Sequence, residues 1–308
     1  MAGSIDKQGR HSIAVVGALA YDQISRTDAS LIQSGAHLLN CKLLDLAQAF
    51  GGCGGNIAYT LACLGSKPLL ISCSGEADDG EYMQRLKHFD IDENACLRVS
   101  GESTARAIIV TDPTGHQFTG FYPGPVPDIA QWVQHLRRAD LAPCPVFIQA
   151  PYPPQLMLAS LQYASTLAHQ PLKIWCPGQY ADQLEPTHAG PLVQAADWIV
   201  GNQYEIASLQ RHTDLAHKLV IRTQGAEPVT VNYPGGAMES FKVEQTTTLV
   251  DPTGCGDAFI AGLVHELCAT PRPDWEGSLG PAIASGCAAA ASCLGASGSQ
   301  NHLATTMT

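Results

Sequence analysis

Val250-Asp251-Pro252-Thr253-Gly254-Cys255-Gly256-Asp257-Ala258-Phe259 runs from a β-rich stretch through a glycine-rich turn into the apolar pattern of a helix. Successive amides at such a turn, together with the unpaired N–H groups of the helix start, form a site for an anion. Gly254 and Gly256 let the backbone approach a phosphate closely, with angles that a Cβ would forbid. Asp257 falls in the first helical turn, beside that pocket. A carboxylate there can take the proton of an attacking hydroxyl during phosphoryl transfer. The other reading is that Asp257 only complements the helix macrodipole, and Gly-Cys-Gly by itself does not decide between them.

Around this segment, short β-branched runs alternate with helix-like stretches: 13–16, 57–64, 69–72, 82–88, 146–149, 156–167, 172–175, 198–200, 205–210, 219–223 and 258–267. That rhythm predicts a mostly parallel sheet covered on both faces, with ligands gathering at the carboxyl ends of its strands. Two stretches break it. Residues 18–50 carry no clear strand-helix unit, and 99–122 read as a hairpin around the turn Asp112-Pro113-Thr114-Gly115. Such antiparallel strands suit either a lid or an ordinary edge hairpin. Phe118 and Phe121 alternate with Gln117, Thr119 and Gly120, a pattern that would bury one face of the hairpin.

Composition narrows the function. The 308 residues are 45% apolar and 15% charged, enough for a substantial core in one large domain, alone or with a small partner. With 17 Lys and Arg against 28 Asp and Glu, the net charge is −11, which argues against a nucleic-acid partner. Any phosphate must be held mainly by backbone amides and a metal ion. Eleven cysteines without a C-x-x-C pair fit neither a disulfide framework nor a zinc site, so reduced thiols in a cytoplasmic protein are expected. The first ten residues show no leader-like apolar stretch. The Ala-rich 282–294 is interrupted by Gly286 and Ser292 and falls short of the roughly 20 residues a bilayer span needs, so no membrane partner is expected.

The whole pattern Asp-Pro-Thr-Gly-Cys-Gly-Asp-Ala-Phe-x-x-Gly resembles the C-terminal signature of the ribokinase (PfkB-type) family of sugar and nucleoside kinases, and this resemblance tips Asp257 towards a chemical role. Phe50-Gly51-Gly52-Cys53-Gly54-Gly55-Asn56-Ile57-Ala58-Tyr59-Thr60-Leu61-Ala62-Cys63-Leu64-Gly65 is similar to the family's N-terminal signature. It lacks the G-x-G-x-x-G spacing of dinucleotide sites, and no G-K-[ST] P-loop occurs in the chain. Gly51 and Gly52 would let a polar substrate rest against main chain, and the Asn56 amide offers both a donor and an acceptor to vicinal hydroxyls. Asp22, after the first strand, stands where the family has an acid that accepts hydrogen bonds from sugar hydroxyls. Asn202-Gln203-Tyr204-Glu205 matches an N-x-x-E element that organises Mg²⁺ and phosphate, Glu205 being its metal-related acid. The same four residues also read as a capping box, and the two roles can coexist. Thr223 and Gly225, in Val220-Ile221-Arg222-Thr223-Gln224-Gly225-Ala226, resemble the strand end and turn beneath the ATP phosphates. Gly298-Ser299-Gln300-Asn301-His302 looks like the ending of the adenosine-kinase-like branch; taken alone it is a polar tail with His302 as a surface histidine.

The resemblance implies an α/β ribokinase-like fold, with a mostly parallel central sheet flanked by helices and a small β-sheet lid. The large nucleotide-binding domain would comprise 11–17, 51–98 and 123–308, and the lid 18–50 and 99–122. It further implies ATP with Mg²⁺, Asp257 as base, charge stabilisation by the amides of Gly254, Cys255 and Gly256, and, as in some relatives, a monovalent cation such as K⁺ near Asp251. Three cysteines depart from the pattern: Cys255 where Ala is frequent, Cys176 where the nearest branch has Asp, and Cys287 near the expected adenine. Only Arg26 and Lys42 carry positive charge between Gly17 and Asn56, which disfavours a sugar phosphate and favours an uncharged acceptor. A nucleoside, adenosine first, is expected. A free sugar such as ribose or fructose, or a non-catalytic nucleotide or sugar sensor, are the alternatives, and a homodimer through the lid is open.

Overall fold

Ser12–Val16 forms a strand, β1, whose Ile13 and Val15 enter one apolar core while Ala14 and Val16 enter another. That two-sided burial is what a continuous apolar run demands. The computed structural model describes residues 12–31, 40–244 and 248–303. The first ten residues, read above for a leader, lie outside them, as do 32–39 of the stretch 18–50.

Along the chain follow β2 (Ala20–Arg26), β3 (Ala47–Gly51), α1 (Cys53–Cys63), β4 (Lys67–Gly75), α2 (Gly80–His88), β5 (Cys96–Val99), β6 (Ala105–Thr111) and β7 (Gln117–Tyr122). Then come α3 (Ile129–Leu136), β8 (Val146–Gln149), α4 (Pro154–Ala164), β9 (Leu172–Trp175), α5 (Pro186–Ala195), β10 (Trp198–Asn202) and α6 (Gln203–Gln210). β11 (Leu219–Gln224), β12 (Glu227–Asn232), β13 (Met238–Phe241), α7 (Cys255–Cys268) and α8 (Leu279–Leu294) complete the order. Among the described residues these strands make a nine-stranded sheet, β13-β12-β11-β10-β9-β8-β1-β4-β5, and a four-stranded one, β3-β2-β6-β7. The large sheet is parallel from β11 to β5 and antiparallel at its β12–β13 edge. One face carries the core of α1, α2, α7 and α8, the other that of α3 to α6.

α7 and α8 meet at glycines. A Cβ on Gly262 would stand 2.6 Å from the Ser285 carbonyl oxygen, and one on Gly286 would stand 2.8 Å from that of Phe259. Glu276–Leu294 is long and apolar enough, by length and composition, to cross a membrane, which the reading of 282–294 alone did not register. In the fold its Leu279, Ala282, Ile283, Ala289 and Cys293 are buried on one side against the rest of the chain, about 33% of the stretch.

The small sheet differs from expectation in its packing. β6 and β7 form the anticipated hairpin, with Val110 opposite Phe118 and Ala107 opposite Phe121. Phe118 is nevertheless 57% exposed and Phe121 49%, so the hairpin does not bury one face. β7 is the sheet's edge, and no described element covers its Phe side chains.

Candidate active site

Gly254 precedes α7 with a left-handed φ of 82°. A Cβ there would stand 2.4 Å from that of Ser299, so the turn meets the C-terminal segment only because the residue is glycine. Gly256 and Asp257 follow in the first turn, where helix amides lack intrahelical acceptors. The Cys255 N–H donates to the Pro252 carbonyl at 3.3 Å, so one of the three amides expected to face a phosphate is engaged within the turn.

Asp257 is partly buried. Its Oδ2 accepts a hydrogen bond from Asn56 Nδ2 at 2.8 Å, and the Cys53 thiol donates to the same carboxylate. Cys53 and Asn56 lie three apart on α1, hence on one side of it. Burial pushes the Asp257 pKa up to about 7; the Asn56 and Cys53 donors oppose this, while the charges of Glu205 and Asp22 add to it. Asp22, on β2, is itself pushed up to about 6 by burial and by the charge of Asp251.

The Asp22 carboxylate lies against Gly51, where any Cβ would stand 2.3 Å from its Oδ2. The Asp22 carboxylate thus takes the space that a side chain at position 51 would need, so a substrate resting on this main chain would also meet Asp22. Gly52 follows as the residue leading into α1. Asn56 is also more constrained than expected. Its Oδ1 accepts from Ser299 Oγ at 2.9 Å and Gln300 Nε2 at 3.0 Å, so with one Nδ2 hydrogen on Asp257 its amide leaves one donor, and no acceptor, for a ligand.

Asn202 and Glu205 form a full capping box at the start of α6: Asn202 Oδ1 accepts from the amides of Tyr204 and Glu205, and Glu205 Oε2 accepts from the Asn202 amide at 3.0 Å. Glu205 Oε1 also accepts from Asn202 Nδ2 at 2.8 Å. Burial raises the Glu205 pKa. Among the described residues no group of three or more His, Cys, Asp or Glu gathers to hold a metal ion. Thr223 pairs with Asn202 between β10 and β11, and Gly225 sits in the exposed turn after β11. Cys176, after β9, is buried within reach of the charges of Asp257 and Glu205.

Sequence reading missed the residues behind Asn56. His302 is not on the surface: it is 3% exposed, its Nε2 lies 3.0 Å from Thr60 Oγ1, and burial holds its pKa down to about 4. Ser299 and Gln300 reach Asn56 across more than 240 positions, and Tyr82 and Arg85 stand behind Gln300. The only available signal was their place in the polar C-terminal ending.

The family model for pfkB family carbohydrate kinases matches residues 10–306. The chain belongs to that family. It is a phosphotransferase with an alcohol group as acceptor, of the sugar- and nucleoside-kinase class, on a ribokinase-like fold. It is 25% identical to a nucleoside kinase of Methanothermobacter thermautotrophicus over 230 residues, 70% of each chain. It is 26% identical to a fructokinase of Klebsiella pneumoniae over 268 residues, 78% of this chain and 83% of that one. Among solved structures, a Burkholderia thailandensis nucleoside kinase in complex with inosine superposes with a TM-score of 0.79 at 24% identity, covering 95% of this chain and 93% of that one.

Proposed function

We propose that this pfkB-family protein is an ATP-dependent nucleoside kinase that transfers the γ-phosphoryl group to a primary hydroxyl, adenosine being the favoured acceptor and Asp257 the general base. One observation carries the reading: a carboxylate with a pKa of about 7, held by Asn56 and Cys53, stands in the first turn of α7 beside its glycine-lined start. The proton of the acceptor hydroxyl passes to Asp257 as the oxygen attacks phosphorus. The amides of the Gly254–Gly256 turn left free by its own bonding stabilise charge on the phosphoryl oxygens. The Asn56 amide donates to one acceptor hydroxyl, and Asp22 accepts from its neighbour. Asn202, Thr223 and Gly225, at the ends of β10 and β11, are assigned to the nucleotide.

Mg²⁺, when bound with ATP, offsets the charge of the phosphates. Glu205 offers a hard oxygen ligand for such a cation, and because both its oxygens are bonded to Asn202 it suits a water-mediated contact. A K⁺ ion near Asp251 would share its two oxygens with the amides of Thr253 and Gly298, which bond them at 2.9 and 3.0 Å. The small sheet is assigned as the lid, with β7 as the edge where a second copy would pair.

The nucleoside is favoured over a free sugar by two nucleoside-kinase relatives, at 25% identity over 230 residues and 24% over 251. The fructokinase relative supports the second reading, a sugar such as fructose or ribose. A panel of nucleosides and free sugars with ATP and Mg²⁺, followed by ADP release, separates the two, and no turnover with any acceptor would leave only a nucleotide or sugar sensor. Asp257→Asn should lower kcat by about 10²–10⁴-fold with ATP binding retained; a near-normal rate would remove Asp257 as base.

A further inference from the structure

The C-terminal segment has no part in the reading above, yet Gln300 is 3% exposed and lies directly behind Asn56. We infer that Gln300, seated by Arg85 and Tyr82, is a positioning residue that dictates which end of the Asn56 amide faces Asp257. This rests on the reading of Asp257 as the base.

The argument is one of donors and acceptors. Arg85 has only donors: its Nε donates to Gln300 Oε1 at 3.1 Å and its Nη2 to the Gln300 carbonyl. The Gly51 carbonyl only accepts, and takes the Tyr82 hydroxyl hydrogen at 2.6 Å. Tyr82 Oη is left to accept from Gln300 Nε2 at 2.7 Å. Both constraints set the Gln300 amide the same way, with Nε2 towards Asn56 Oδ1 at 3.0 Å. Ser299 Oγ, whose one hydrogen is shared between that oxygen at 2.9 Å and the Phe50 carbonyl at 3.2 Å, leans the same way. Asn56 can then turn only its Nδ2 to Asp257. Were the amide reversed, its carbonyl oxygen would face the carboxylate and disfavour the ionised form that a base needs.

A change from amide to carboxylate at position 300 keeps the shape and inverts the polarity. Gln300→Glu retains an acceptor for Arg85 and removes the donor to Asn56, so the Asn56 amide reverses. The groups around Asp257 are Cys53 and Asn56 from α1, Asp22 from β2, Glu205 from α6, Cys176 after β9, Cys255 at the start of α7 and Cys293 from α8. Of these only Asn56 is turned; the charge the substitution adds sits against Arg85, and Gln300→Met, which removes the same donor without adding charge, separates the turning of Asn56 from repulsion.

The readout is kcat/KM for the acceptor against pH at saturating ATP. The acidic limb of Gln300→Glu should move up by about one unit, a roughly tenfold loss below the limb that is recovered at alkaline pH. Arg85→Met, which frees Gln300 to turn, should move it in the same direction by less, and decides the matter if the first variant does not fold. A limb that stays in place, a loss equal at every pH, or a shift in Gln300→Glu that is absent from Gln300→Met would overturn the inference and reduce Gln300 to packing. If Asp257→Asn keeps its rate, the base assignment fails and this inference with it; if Asp257→Asn is inactive and the limb of the folded variants is unmoved, only the positioning role falls.

Discussion

An aspartate at its ordinary pKa of 3.8 is ionised throughout the neutral range, whereas one at about 7 is not. Raising the pH from 6 to 8 should therefore increase kcat/KM about tenfold, because the ionised fraction of Asp257 climbs from roughly one tenth to roughly nine tenths. The direction follows from the role: a base must be unprotonated, so activity is lost as pH falls. Cys53→Ala sharpens the test. It removes a thiol donor to the ionised carboxylate, a weak hydrogen bond of about 0.5–1 kcal/mol, and should raise the limb by about half a unit. At pH 6 the variant would then be about threefold slower than the parent, and the two would converge above pH 8. The assay is initial-rate ADP release at fixed Mg²⁺ and saturating ATP. A phosphate's second proton leaves near 6, so the residual rate of Asp257→Asn supplies the profile of the nucleotide alone. A parent profile flat from pH 6 to 8, or one shared with Asp257→Asn, would refute the reasoning.

The raised carboxylate also has a cost in stability. The folded pKa of Asp257 lies above its unfolded value of 3.8, so stability declines as pH rises from about 4 through about 7. Asp257→Asn should raise Tm at pH 8 and leave it nearly unchanged at pH 4, a comparison made by calorimetry. Gly254→Ala places a Cβ 2.4 Å from that of Ser299 in a left-handed conformation. It should lose about 1–3 kcal/mol on chemical denaturation and, by displacing Ser299, reduce kcat/KM as well. Cys255 has its pKa lowered by the Cys293 hydrogen bond, whereas burial pushes Cys73, Cys144 and Cys268 up to about 12. Iodoacetamide should label Cys255 well before those three, and ATP should slow it there but not at the exposed Cys41; mass spectrometry showing equal labelling with and without ATP would contradict a phosphate site at this turn.

What was legible in the sequence was local. The two glycine-rich turns announce themselves because each runs straight into an apolar helix, and at Gly254-Cys255-Gly256-Asp257 the acid of the first helical turn is contiguous with the glycines. β1 was equally plain, since Ile13–Val16 is apolar on both faces. β2 and β3 were not, because their strands are only half-buried and carry Gln23 and Gln48 where a clean alternation would be needed. The hairpin was found by its turn, but Phe118 and Phe121, three apart on β7, point to opposite faces and could not share one buried face. The tail was hidden for another reason. Ser299, Gln300 and His302 are ordinary polar residues in sequence, and their meaning comes from Asn56 and Thr60, which only the folded chain brings to them.

The electrostatics explain why such a remote support is worth having. The chain carries a net charge of −11, and Asp257 feels two further acids, Glu205 and Asp22, while Asp22 feels Asp251. Burial and these like charges all favour the protonated, inert form of Asp257. The Asn56 and Cys53 donors act the other way, Asn56 the more strongly. An amide is an unreliable donor when free to turn, because its oxygen end is nearly the same shape as its nitrogen end. Fixing that end requires partners of unambiguous polarity, and a guanidinium and a backbone carbonyl, transmitted through Tyr82 and Gln300, are of that kind. On the proposed role, a base whose pKa must stay near the working pH in an acidic site depends on the orientation of a neutral side chain, and on the proposed positioning that orientation is set at the opposite end of the sequence.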